Sequence, residues 1–127
     1  MFKMNLVLGV MFGASLGALL RWWLGVKFNT MYESLFLGTL LANVLACFVM
    51  GLFLGYEENG VFINNALKIA IFTGFLGSLS TFSTFIGETH SHLMLRDWLK
   101  LALGLNLQIG LGLITFHYAR YLGSSLH

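Results

Sequence analysis

Apolar positions along this chain gather into four long runs separated by short polar breaks, at about residues 4–25, 35–56, 66–87 and 98–122. Each run is close to the roughly 20 residues that carry an α-helix across a bilayer core. Strands of a membrane barrel alternate and are far shorter, so the pattern predicts helices. The breaks read Lys27-Phe28-Asn29-Thr30, Glu57-Glu58-Asn59-Gly60 and His90-Ser91-His92. Trp22, Trp23, Tyr32, Tyr56, Trp98, Tyr118 and Tyr121 fall near run ends, where interfacial aromatic belts sit. Lys3 before an apolar stretch resembles a signal peptide, but the stretch outruns a usual signal core and similar runs follow it. The first run is therefore read as a first membrane helix. The expected fold is one all-α integral membrane domain of four transmembrane helices.

Composition strengthens this reading. Hydrophobic residues make up 57% of the 127 and charged ones only 9%, too few to cover the surface of a small soluble domain. Fifteen glycines suit close helix approach in lipid. A net charge of +2 without a basic cluster speaks against nucleic-acid binding. The single Cys47 excludes an internal disulfide and a cysteine zinc site, and its apolar surroundings make it a packed thiol.

Charge also bears on orientation. Four spans put Lys3, Lys68 and Arg120 on one side and Arg21, Lys27, Arg96 and Lys100 on the other. So even a balance gives the positive-inside rule little to act on. The chain is expected to insert both ways and to pair with itself as an antiparallel homodimer about a two-fold axis in the membrane plane. The competing reading is a single orientation set by one dominant charge.

The chemistry concentrates in the third run. Residues 73–85 read Thr-Gly-Phe-Leu-Gly-Ser-Leu-Ser-Thr-Phe-Ser-Thr-Phe. Gly74 and Gly77 with hydroxyls close behind weaken the helix ladder and predict a break. Unwound backbone at membrane depth persists only inside protein or along a polar cavity. There carbonyls can hold a cation, and amides and hydroxyls an anion. A small-xxx-small helix contact through Gly74 and Ser78 is the competing account of the glycines, yet it leaves Thr81, Ser83 and Thr84 unexplained. Phe82 and Phe85 share a face; beyond simple packing, the positive edges of such rings can meet a small anion.

The segment from Gly74 to Phe85 resembles the signature of the Fluc (CrcB) fluoride channels, and two further stretches agree. Gly38-Thr39-Leu40 with Asn43 resembles that family's second-helix motif, and Gly13-Ala14-Ser15-Leu16-Gly17-Ala18 with Arg21 its first-helix motif. The resemblance covers the whole chain. It implies a fluoride-selective channel for passive export across the plasma (inner) membrane of a bacterium, an antiparallel homodimer with two pores. It implies that Phe82 and Phe85 line the pores with Asn43 and Thr39 nearby, and that Ser83 and Thr84 offer hydroxyls. Arg21 would stand in a vestibule and Glu88 near a pore entrance. It further implies a central sodium ion held by the backbone carbonyls of Gly77 and Ser80 from both subunits. Two departures stand out. Ala46 replaces a usual glycine, and the fourth helix offers Gly104, Gln108 and Gly112 with Asn106 between. Gln108 is the expected replacement polar group on that helix, with Asn106 a close second.

Other polar residues have plainer readings. From position alone Arg21 is a snorkelling anchor, and Asn43 a helix–helix hydrogen bonder. His90 and His92, two apart on a helix, do not share a face and are expected to be solvated at the interface, as are Asp97 and Glu33. No nucleotide loop or nucleophile–base pair marks an enzyme. A small multidrug-type proton-coupled exporter shares the helix count and dual topology, but needs a carboxylate that the first run lacks. An assembly subunit with packing helices alone does not account for the Thr-Phe-Ser-Thr-Phe run.

Overall fold

A computed structural model describes residues 3–29 and 36–126. Tyr32, Glu33 and the last residue of the first break, Thr30, lie outside the described residues. Among the described residues, four helical spans are long and apolar enough to cross a membrane: Met4–Asn29, Leu37–Glu58, Asn65–Met94 and Trp98–Ser125. The first comprises α1 (Met4–Leu24) and a π-helical turn, Gly25–Asn29. The second is α2 (Leu37–Glu58) and the fourth is α6 (Trp98–Ser125).

The third span is composite. It runs through α3 (Asn65–Ile69), a π-helical stretch Ala70–Leu76, the short turn α4 (Gly77–Leu79) and α5 (Phe82–Met94). Between α4 and α5, Ser80 and Thr81 are extended, with ψ of 153° and 122°. The helix break therefore falls two residues long at Ser80–Thr81, while Gly77 keeps helical angles and begins α4. The physical reason is capping: the Thr81 hydroxyl accepts from the Thr84 N–H and starts a new helix there.

The break expected at His90–His92 is helical. α5 continues to Met94, and the chain turns through Leu95 and Arg96, the latter at φ 53°. Asp97 then caps α6 by accepting from the Lys100 N–H.

Small residues decide which spans touch. A Cβ at Gly13 would strike the Ala70 carbonyl and one at Gly74 the Val10 carbonyl, so the first span and the π-helical stretch meet backbone to backbone. Gly17 faces the Phe75 carbonyl and Ser78 Oγ in the same seam. The small-residue contact expected of Gly74 and Ser78 thus exists, on the face turned to α1. In a second seam Gly51 abuts the Phe116 carbonyl, Gly55 the Arg120 carbonyl and Gly123 the Leu52 carbonyl, joining α2 to α6. A small core of Leu24, Ala42, Ala46, Leu76 and Leu79 lies between the seams. Glu57 pairs with Lys68, and Glu58 with Arg120, at one end of the bundle.

Candidate functional site: a polar path beside the break in the third span

The break leaves backbone groups that need partners, and α2 supplies one. Asn43, half-buried mid-span, accepts from the Thr81 N–H through Oδ1 at 2.8 Å and donates through Nδ2 to the Thr81 carbonyl at 3.2 Å. The same Nδ2 donates to Gln108 Oε1 on α6 at 3.0 Å. One amide thus ties three spans together, and every bond it makes is one that lipid could not replace. Asn106 plays no such part: its amide donates to the Ala102 carbonyl of its own helix. Position along a helix could not separate the two, but the face turned toward α2 does.

Arg21 reaches inward instead of out to the interface. Its Nε donates to the Ser78 carbonyl at 2.9 Å, within the last helical turn before the break. Around it, Asn29, Thr39, Thr81 and Thr84 line a cavity of about 400 Å³ that also touches Trp22. Asn29 Oδ1 accepts from the Gly38 N–H at 2.7 Å and so closes the first turn of α2, whose N-cap residue Phe36 offers no side-chain acceptor. This role for Asn29 was hidden in what reads as a polar loop.

From the cavity, Thr39 leads onward. It is buried at 5% exposure, and its hydroxyl donates to Glu88 Oε1 on α5. Glu88 lines a second, much smaller cavity of about 20 Å³, shared with Phe85, Gln108, Gly104, His92 and Lys100. The polar side chains therefore form a chain of neighbours from Arg21 through Thr39 and Asn43 to Gln108 and Glu88.

The two phenylalanines differ sharply. Phe85 is 9% exposed, whereas Phe82, the first residue of α5, is 74% exposed. Their rings stand 6.2 Å apart at 57°. Ser83 and Thr84 are exposed on this single chain, and their hydroxyls make no hydrogen bond among the described residues. Ser78 and Ser80 are different, since their hydroxyls fold back onto the Phe75 and Leu76 carbonyls. The hydroxyl run thus divides into helix-bound and available members, a distinction that residue type alone does not carry.

His92 departs from expectation. It is 7% exposed and stacks on Phe36 with ring centroids 5.3 Å apart, because α5 carries it past the expected break and under the start of α2. His90 is exposed as expected.

The sequence has recognisable relatives. The sequence profile of the family described as CrcB-like protein, Camphor Resistance (CrcB), matches residues 8–120. The chain belongs to the CrcB family. Its relatives include a fluoride-specific ion channel FluC of Pasteurella multocida, 42% identical over 106 residues, covering 82% of this chain and 80% of that protein. Another, from Mannheimia succiniciproducens, is 37% identical over 105 residues, 83% of this chain and 76% of that one. A third, from Pseudomonas aeruginosa, is 45% identical over 85 residues, 67% of each.

The sodium ion that the CrcB resemblance implies can be tested against this chain's own donors. In an unbroken helix the Gly77 carbonyl would accept from the Thr81 N–H, and the Ser80 carbonyl from the Thr84 N–H. Both donors are engaged elsewhere, by Asn43 Oδ1 and by Thr81 Oγ1. Gly77 and Ser80 are exposed and line an open recess of about 190 Å³ with Cys47 and Phe116. Two carbonyl oxygens deprived of their helical partners suit a hard cation, and a second copy would double the set. The residues fit the ion.

Proposed function

We propose that this CrcB-family chain is a fluoride-selective channel that lets fluoride leave a bacterial cytoplasm passively through the inner membrane. The working unit is an antiparallel homodimer with two pores. The observation that carries the reading is the Asn43 node: a polar amide at membrane depth that joins a broken helix to Gln108, with Phe85 and unengaged hydroxyls beside it. Relatives named fluoride-specific ion channels support the channel reading.

Fluoride is small, strongly hydrated and a strong hydrogen-bond acceptor. A narrow series of donors can replace its water piecemeal. Arg21, Thr84 and Gln108 offer donors, Asn43 joins them when the ion displaces one of its two Nδ2 acceptors, and the Phe82 and Phe85 ring edges stand between. Chloride is larger and gains less from each donor. Several weak stations, none a deep well, are what conduction needs. Thr39, by bonding Glu88, draws a carboxylate lone pair away from the path.

The dimer reading rests on the near-even basic charge of the two faces and on Gly77, Ser80 and Phe82, which the single chain leaves exposed for a partner to cover. Sodium held by the Gly77 and Ser80 carbonyls at that interface would supply a fixed positive charge, which lowers an anion's barrier in low dielectric.

A proton-coupled multidrug-type exporter remains the rival, and α1 contains no carboxylate for it. Fluoride and chloride efflux from liposomes reconstituted with the purified protein decides between them. Rapid fluoride release without a proton gradient, and chloride retained, is the expected result; release of neither ion, or of both equally, would overturn the channel reading.

A further inference from the structure

His92 has a donor and no acceptor for it among the described residues. The residue is more than nine-tenths buried, yet its imidazole makes no hydrogen bond among the described residues. Nor is either ring nitrogen sealed away, since no buried side-chain nitrogen or oxygen lacks a partner among those residues. Each ring nitrogen therefore keeps some access, and His92 lines the cavity of about 20 Å³ shared with Phe85.

That cavity has a telling size. About 10–15 Å³ is the least that holds one water, so 20 Å³ has room for a water or for fluoride, which is close to water in size. Its walls come from three spans: Phe36 and Leu40 on α2; Phe85, Glu88, Thr89 and His92 on α5; Lys100, Gly104, Leu107 and Gln108 on α6. Lys100 and Glu88 are the charged groups facing it. Thr39 donates to Glu88, and Asp97 stands 3.4 Å from the Lys100 ammonium. Both charged groups thus have partners, and the imidazole is the polar side chain of the lining without one among the described residues. Phe36 holds the ring in place from the other side, in a left-handed conformation (φ 46°) that a non-glycine residue adopts only under outside constraint.

We propose that His92 is a further fluoride-contacting residue, a station on the far side of Phe85 from Thr81 at which an imidazole N–H replaces one water of the ion. The inference rests on the fluoride-channel reading and adds a donor on α5 to those on α2 and α6.

Two variants and one spectroscopic measurement test it. His92→Phe keeps an aromatic ring on Phe36 and removes the donor, while His92→Gln keeps a donor of similar reach. Fluoride efflux from liposomes should fall roughly tenfold in His92→Phe, the scale of one lost hydrogen bond to a charged group, and largely recover in His92→Gln, with both proteins eluting as the wild type does. Equal flux in wild type and His92→Phe would overturn the proposal, as would equal loss in both variants. The measurement independent of conduction is the ¹⁵N spectrum of histidine-labelled wild type in sodium fluoride against sodium chloride. A fluoride-specific shift of the His92 ring resonance supports the station, and an unmoved resonance rejects it. If the wild type passed no fluoride, the channel reading would fall, and this spectrum would still decide the site.

Discussion

Asn43 and Thr81 hold each other in both directions, the side-chain amide accepting from the Thr81 N–H at 2.8 Å and donating to its carbonyl at 3.2 Å. The pairing imitates one rung of a β-ladder, built from a helix side chain and two residues of extended backbone. It lets the third span stop and restart without stranding Thr81 in an apolar medium. Because the same amide also reaches Gln108, the break and α6 are positioned by one residue.

Asn43→Ala should accordingly do more than remove a donor from the path. It leaves the Thr81 N–H and the Gln108 carbonyl oxygen without their partner, each a loss of about 1–3 kcal/mol where water cannot enter. Thermal unfolding in detergent should show a lowered midpoint, and fluoride flux should fall steeply. Asn43→Asp retains the acceptor for Thr81 but donates nothing, so it should recover stability better than flux. Unchanged flux in both variants would remove Asn43 from the pore.

The Phe82 and Phe85 pair separates packing from transport. Phe85→Ile, at a buried site, should cost less than about 1.5 kcal/mol because volume is nearly kept. Phe82→Ile, at a position exposed on the single chain, should cost the monomer fold little. If ring edges meet the ion, both variants lose most of their fluoride flux although they assemble normally. Wild-type flux in either one would reject its ring as a pore element.

Gly55 lies where α2 and α6 touch backbone to backbone, and a side chain there meets the Arg120 carbonyl and the Ser124 amide. Neither is the yielding tip of a side chain. Gly55→Val should therefore push the two helices apart and yield protein that aggregates on size-exclusion chromatography. A monodisperse, conducting Gly55→Val protein would show that the α2–α6 seam is looser than this geometry requires.

Dual insertion is open to a direct count. Reporters fused after residue 126 should be found on both sides of the membrane in comparable amounts, given three basic residues toward one face and four toward the other. One orientation alone would exclude the antiparallel dimer.

Sodium can be withdrawn without any mutation. Replacing it with N-methylglucamine should weaken the dimer and reduce fluoride flux, and restoring sodium should reverse both. Ser80→Ala should leave this behaviour intact, because the carbonyl is the proposed ligand and the hydroxyl already bonds to Leu76. Indifference to sodium would dispose of the central ion.

How much of this was legible in the chain depends on the range of the interaction concerned. Membrane residence, helix number and the weakness of the third span are properties of local composition. Apolar runs must be helical in lipid, and the glycines and hydroxyls of residues 74–84 weaken a helix wherever it packs. The location of the break was less accessible. Gly77 is the weaker helix former, yet the helix survives it and parts at Ser80–Thr81, because Asn43, 38 residues distant, captures the Thr81 amide. The same holds for the choice of Gln108 over Asn106, for Arg21 turning inward to Ser78, and for His92 buried under Phe36. In each case the residue type allowed two outcomes of similar local energy. Only the partner brought close by the Gly13–Ala70 and Gly55–Arg120 seams chose between them.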